Sequence, residues 1–334
     1  TKRAVILVTN DIMMRIAAAA CGVEVQEYKN DQIKESSYVG YREIKTSREI
    51  IDDIYKKQSL APEIFADEKP FVANEYITLT DGNTSALCVY RDNCIRLLKD
   101  TTAFGIRPQN RLQRFALDAL LAPAEEIPLV ILRGPAGTAK TFLSMAAALD
   151  KTYTDEFTRH TSSTSYDKIY IGRANVSSDE AFGFLPGELE DKTRPLLGCF
   201  YSNLEDLLRK GNHEEDAQIQ IQIDDMMETG LLRVFPLAYI RGMSIKNSFI
   251  ICDEAQNIGR SLIRDIVTRC GQGSKLVILG DTNQIDVPFL DKTNSGLTYL
   301  AHNMKGSTKC AQITFTEKES VRSALATEAL NRLM

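Results

Sequence analysis

The chain has 334 residues, 43% of them hydrophobic and 25% charged, with a formal net charge of −5. That length exceeds one small domain and predicts two or three units, each able to bury a core. No apolar run approaches the ~20 residues of a bilayer-spanning helix, so a helical membrane span is excluded, and the negative balance confines any nucleic-acid partner to a local basic patch. Seven cysteines form no C-x-x-C pair and accompany only three histidines, so neither a disulfide framework nor a zinc site is expected. The first residue is Thr and no signal-peptide pattern follows it, from which a cytoplasmic protein cut from a longer one is expected.

In chain order, Ala4 to Val8 reads as a short strand and Ile12 to Ala20 as a helix stopped at Gly22, together the end of an α/β unit over residues 1–30. Tyr28 to Ser37 is a polar, charged linker. Residues 31–106 predict a small, mostly β domain. Strands at Tyr76-Ile77-Thr78-Leu79 and Ser85 to Tyr90 flank an Asp81-Gly82-Asn83 turn, and one helix falls near Ser47 to Gln58.

Over residues 107–334 helical and buried-strand patterns alternate, which predicts an α/β fold with a parallel sheet covered on both faces. The expected strands are Leu129 to Leu132, Lys168 to Ile171, Leu231 to Phe235, Ser248 to Cys252, Lys275 to Leu279 and Ala311 to Phe315. Helical periodicity marks Lys140 to Asp150, Leu196 to Arg209, Asp216 to Glu228, Ser261 to Cys270, Ser295 to Asn303 and Lys318 to Leu333. The Ser- and Thr-rich stretch Thr152 to Asp167 reads as a surface insertion.

Gly134-Pro135-Ala136-Gly137-Thr138-Ala139-Lys140-Thr141 lies directly after an apolar strand and directly before a helix, the context a P-loop requires. A loop with little side-chain bulk lets successive backbone N–H groups close around a phosphate, and the helix N-terminus adds partial positive charge. Lys140 would reach the β- and γ-phosphates and Thr141 would bind Mg²⁺. Ala139 stands where the pattern has its last glycine. With φ below zero its methyl is tolerable, whereas φ above zero would cost roughly 1 kcal/mol or more.

Phe249-Ile250-Ile251-Cys252-Asp253-Glu254 is a buried strand ending in two carboxylates, the Walker B arrangement. Asp253 would hold Mg²⁺ directly or through water, and Glu254 would act as general base toward the attacking water. A further strand ends in Gly280-Asp281-Thr282-Asn283-Gln284, at the sheet edge where ligands of open α/β sheets bind. Gln284 is a candidate sensor of the γ-phosphate or the water. Upstream, Leu112, Phe115, Ala116, Ala119 and Leu120 form an apolar helical face, with Gln113 off that face. An amide can pair with both N6 and N7 of adenine, so Gln113 is a candidate for base selection; judged alone, it is a surface glutamine.

These residues resemble a known family. Gln113, the loop from Gly134 to Thr138, Gly183-Phe184-Leu185-Pro186-Gly187, Asp253-Glu254-Ala255-Gln256-Asn257 and Gly280-Asp281-Thr282-Asn283-Gln284-Ile285-Asp286 look like the PhoH-like ATPases from about Arg107 onward. The resemblance implies a RecA-like core similar to superfamily-one helicases, ATP hydrolysis with Mg²⁺, action on single-stranded RNA, and a ring-shaped homo-oligomer such as a hexamer. An arginine from a neighbouring subunit would then stabilise transition-state charge; Arg269 is the first candidate, with Arg322 and Arg241 behind it. Val8 to Ile16 resembles the last strand and helix of a PIN nuclease domain, in which Asp11 would be one of several acidic metal ligands. The bland reading of Asp11 is an N-cap, and no nuclease activity is expected from this chain.

Three functions compete. An RNA-remodelling motor would grip single strands with Lys45, Arg48, Lys56, Lys57, Arg107, Arg111 and Arg114, and stack bases on Tyr38, Tyr41 and Tyr76; those same residues also fit a solvated charged face. An ATP-gated assembly switch would use nucleotide to order subunit interfaces. A small-molecule kinase is disfavoured, since Glu254 after Asp253 suits water activation.

Overall fold

The computed structural model describes residues 5–9, 11–26, 37–153, 165–174, 198–209, 216–240, 243–288, 290–320 and 328. The expected Gly183-to-Gly187 motif, Arg241, Arg322 and most of the Lys318-to-Leu333 helix lie outside the described residues.

At the N-terminus, β1 (Ile6–Val8) pairs parallel with β2 (Glu24–Gln26) across α1 (Ile12–Ala20). Asp11 caps that helix, accepting from the Met14 N–H at 2.9 Å, as its bland reading has it.

A five-stranded sheet follows, in the order β3 (Tyr41–Lys45), β5 (Glu75–Thr80), β6 (Ser85–Arg91), β7 (Cys94–Leu97) and β4 (Ser59–Leu60). The β5–β6 hairpin turns where Asp81 accepts from the N–H groups of Asn83 and Thr84, the local bonding that makes Asp a turn former. Helix α2 (Arg48–Lys57) buries Ile51 and Ile54 against this sheet and ends at Gln58 in the left-handed region.

The main body is a six-stranded, all-parallel sheet. Its strands are β8 (Leu129–Arg133), β9 (Lys168–Arg173), β10 (Leu232–Pro236), β11 (Ser248–Asp253), β12 (Lys275–Gly280) and β13 (Cys310–Thr314), ordered β10-β9-β11-β12-β8-β13. Period-two alternation sends Val130, Leu132, Phe249, Ile251, Val277 and Leu279 to one face, and Leu129, Ile131, Ile250, Cys252, Leu276 and Ile278 to the other. The first face is covered by α3 (Arg111–Leu121), α4 (Lys140–Thr152), α5 (Gly198–Arg209) and α6 (Asp216–Glu228). The second is covered by α7 (Arg260–Arg269) and α8 (Gly296–Asn303). Both faces are thus closed, which is why these strands read as continuous apolar runs. The doubly covered parallel sheet is the expected RecA-like P-loop arrangement.

The two larger sheets meet at α3 and β13. Tyr76 stacks on Phe115 with centroids 4.8 Å apart, and its hydroxyl donates to Asp118 at 2.9 Å. The segment before β3 lies against β13: the Thr314 N–H donates to the Val39 carbonyl, and a Cβ on Gly40 would fall 1.6 Å from the Gln312 oxygen. Tyr76 is fully buried, so it is no base-stacking surface, contrary to the expectation for it.

Candidate nucleotide site

Because every strand of the main sheet runs the same way, all its C-terminal ends share one edge. The P-loop leaves β8 there and Asp253 ends β11 there, with β12 between the two. The β12 loop is thereby wedged between phosphate loop and acids. Ala136, Gly137, Ala139, Lys140, Thr141, Phe142, Asn203, Asp253, Glu254, Gly280, Asp281 and Gln284 line one cavity of ≈ 260 Å³.

The loop conformation is held by its glycines. Gly134 has φ +134°, and a Cβ there would sit 2.5 Å from the Phe315 carbonyl oxygen; Gly137 has φ +81°. Ala139 adopts φ 65°, ψ 21° as the residue preceding α4. The sequence left its sign open, and the left-handed outcome means the methyl group is strained by ~1–2 kcal/mol. Thr138 is buried and donates to the Pro135 carbonyl at 2.9 Å, bracing the loop. Lys140 Nζ lies inside the loop, donating to the carbonyls of Gly134 at 2.6 Å and Pro135 at 2.8 Å.

Thr141 Oγ1 and Asp253 Oδ2 are 3.4 Å apart. Two cis oxygens at the ~2.1 Å ligand distance of Mg²⁺ are ~3 Å apart, so this pair fits a hard divalent cation. Burial, then the neighbouring Glu254 charge, pushes the Asp253 carboxyl up to about 6; a bound cation would oppose both effects. Glu254, in the left-handed region at φ 56°, receives Arg173 Nη2 at 3.2 Å and Gln256 Nε2 at 2.5 Å. Fully buried Gln256 also donates to the Gln284 carbonyl at 2.9 Å and accepts from the Asp281 N–H at 3.0 Å. Gln284 Nε2 donates to Asp281 at 2.9 Å.

A family model described as PhoH-like protein matches residues 105–333. The chain belongs to this family. Protein PhoH2 of Bacillus subtilis (strain 168) is 34% identical to it over 340 residues, covering 99% of this chain and 73% of the relative. Protein PhoH2 of Thermobispora bispora is 30% identical over 331 residues, covering 98% and 71%. A PhoH-like protein of Mycobacterium bovis is 38% identical over 183 residues, covering 55% and 46%. Among solved structures, the PRRSV helicase superposes with a TM-score of 0.26 at 11% identity, over 81% of this chain and 48% of its own, too slight a likeness to support an argument. PhoH-like chains are P-loop NTPases, and the nucleotide reading of the cavity stands on that membership together with the loop geometry.

Two sequence-derived candidates are not among the residues lining this cavity. Gln113 is 2% exposed rather than on the surface; its Oε1 accepts from the Gln109 N–H at 2.8 Å and so fixes the turn entering α3. Helical spacing put it off the apolar face, but the chain folding back over α3 covers that side as well. Arg269 is exposed at the end of α7, where its carbonyl accepts from the Ile245 N–H just before β11 begins. That is the sheet edge opposite the cavity, so Arg269 does not face its own chain's site. Conversely, Arg173, Asn203, Asp281 and Gln256 were not singled out as site residues. Extending the Lys168 strand by two residues puts Arg173 at the ligand-binding edge; Asn203, on a helix, carries no such signal.

Proposed function

We propose that this chain binds ATP with Mg²⁺ at the P-loop cavity, hydrolyses it, and couples turnover to single-stranded RNA. One observation carries the reading: the loop ahead of Lys140 and the carboxylates of Asp253 and Glu254 bound a single volume. In this reading the amides from Gly134 to Thr141 cradle the phosphates, and Lys140 bonds their terminal oxygens. Thr141 and Asp253 hold Mg²⁺, which supplies charge neutralisation at the phosphate oxygens. Glu254 takes a proton from the attacking water, Gln284 orients that water, and Gln113 serves the adenine side. Arg269, exposed at the edge away from its own cavity, would reach the site of a neighbouring copy, the role a ring-shaped homo-oligomer would give it.

The RNA part is supported by a second cavity, ≈ 910 Å³, between the start of α3 and the five-stranded sheet, with Arg107, Arg111, Arg114 and Tyr55 on its walls. Tyr55, 52% exposed, takes over the stacking role expected of Tyr76. Arg111 pairs with Glu43 at 2.8 Å and Arg114 with Asp100, so phosphate must compete with partly screened carboxylates. For the chain as a whole we propose units over 1–30, 31–106 and 107–334 and a cytoplasmic location; no helix among the described residues is long and apolar enough to cross a membrane. The exposed Val5, Ile6, Val8, Met13, Met14 and Ile16 are the side chains that the rest of a PIN-like unit would cover.

The test is steady-state ATPase activity with and without single-stranded RNA at two salt concentrations. Stimulation that weakens as salt rises supports RNA coupling, because phosphate contacts release counterions. Hydrolysis indifferent to RNA would replace the motor with the assembly switch, and no hydrolysis at all would overturn the ATPase assignment.

A further inference from the structure

Both carboxylate oxygens of Glu254, on the cavity wall, are held by side-chain donors. Each of its carboxylate oxygens meets a different donor, Oε1 the Arg173 guanidinium at 3.2 Å and Oε2 the Gln256 amide at 2.5 Å. Arg173 is the last residue of β9 and stands in register with Asp253, so its side chain rises one strand away from the acids. The two paired side chains are 33% and 31% accessible. A half-buried ion pair that keeps this much solvent contact adds only modestly to stability by itself. Arg173 Nη1 also lies 3.7 Å from Cys199 Sγ in the first turn of α5, the helix that brings Asn203 to the cavity wall. Arg173 therefore ties the carboxylate to both the sheet and the adjoining helix. A carboxylate offers about four lone-pair sites. Donors on one from each oxygen orient the group while leaving others for a water, since Glu254 still lines the cavity.

We propose that Arg173 is a positioning residue for ATP hydrolysis: with Gln256 it holds the Glu254 carboxylate at the angle from which it meets the attacking water. The inference rests on the reading of this chain as an ATPase with Glu254 as base. As the water oxygen bonds to the terminal phosphorus, its proton passes to Glu254, the bond from that phosphorus to the bridging oxygen breaks, and ADP carries the electron pair away. Glu254 then releases the proton to solvent. Arg173 stays protonated throughout and exchanges nothing; it acts through the geometry of the base, where a misplacement of 1 Å costs on the order of 10²-fold in rate.

The experiment compares the full chain with Arg173→Ala, Arg173→Lys, Glu254→Gln and the Arg173→Ala/Glu254→Gln double variant. It measures kcat and KM for ATP, single-turnover rates, and equilibrium binding of a fluorescent ATP analogue with Mg²⁺. Arg173→Ala should lower kcat about 10- to 100-fold while analogue affinity stays within about twofold, and Arg173→Lys should recover part of the rate as a point charge lacking the guanidinium fork. Against the residual single-turnover rate of Glu254→Gln, Arg173→Ala should add no further loss, the non-additivity of groups that act as a unit. A parent-like or faster Arg173→Ala overturns the proposal. So does a roughly tenfold loss of analogue affinity that adds to the Glu254→Gln defect, which would make Arg173 a nucleotide contact instead. A parent chain without ATPase activity removes the function itself, and this inference with it; an active parent with an indifferent Arg173 removes the inference alone.

Discussion

Gly280→Ala tests the site through a cavity-wall residue that has no side chain to bind with. Gly280 ends β12 with a backbone any residue can adopt, so its small size is a packing requirement. A Cβ there would lie 2.5 Å from Gln256 Oε1 and 2.7 Å from Leu297 Cδ2. Leu297 and Gln256 are both fully buried, and the Gln256 amide oxygen, as the nearer atom, is displaced first. That amide carries the bonds to Glu254, Gln284 and Asp281. Overpacking costs ~1–3 kcal/mol, and each buried polar partner left without its bond costs ~1–3 kcal/mol more. The expected outcome is a melting temperature lower by a few degrees, a kcat lower by about 10- to 100-fold, which is ~1.4–2.8 kcal/mol of activation free energy, and nearly unchanged affinity for an ATP analogue. Steady-state kinetics and analogue binding on the folded variant decide it. A correctly folded Gly280→Ala with parental kcat would refute the argument that Gln256 carries the placement of Glu254.

Ala139→Gly should stabilise the chain by about 0.5–1 kcal/mol, because ~1–2 kcal/mol of left-handed strain at φ 65° outweighs the extra entropy a glycine loses on folding; thermal unfolding reads it, and a lowered midpoint contradicts the strain. Lys140→Ala should abolish analogue binding, whereas Glu254→Gln should keep ATP bound and stop turnover; parental turnover in Glu254→Gln would remove Glu254 as the base. Lys275 is fully buried, donating to the carbonyls of Ala119 at 2.8 Å and Ala122 at 2.6 Å at the end of α3, and burial lowers its pKa from 10.5 to about 7. Between pH 7 and 10 the unfolded chain therefore holds a proton the folded chain lacks, so stability rises with pH in that window. Relative to Lys275→Met, the parent should gain about 1.4 kcal/mol per pH unit there; a difference independent of pH would mean the buried ammonium stays charged.

The elements and the site were legible from sequence to different degrees. All six strands of the parallel sheet lie within two residues of their expected bounds, because strands buried on both faces leave uninterrupted apolar runs between breakers. The phosphate loop and the paired acids were legible for a related reason: backbone cradling demands glycine, and hard-cation chemistry demands carboxylate, at short and fixed spacings. The burial of Gln113 and of Tyr76 was not legible, since a helical wheel or an aromatic tally knows nothing of how the rest of the chain packs around a residue. Arg173 and Gln256 went unassigned because their partners are contributed by other strands and loops.

Residue types close together in the chain thus determined the chemistry proposed for the site: a loop for phosphate, a hydroxyl and a carboxylate for a cation, an acid for a proton. Only the tertiary structure decided which groups meet. Inserting β12 between β8 and β11 brought Asp281 and Gln284 to the cavity, and the register of β9 with β11 set Arg173 beside Glu254. The sign of φ at Ala139 was likewise settled by how the loop must turn between sheet and helix. Strand order, register and loop path are set by the packing of the whole core, and no local stretch of sequence contains that information.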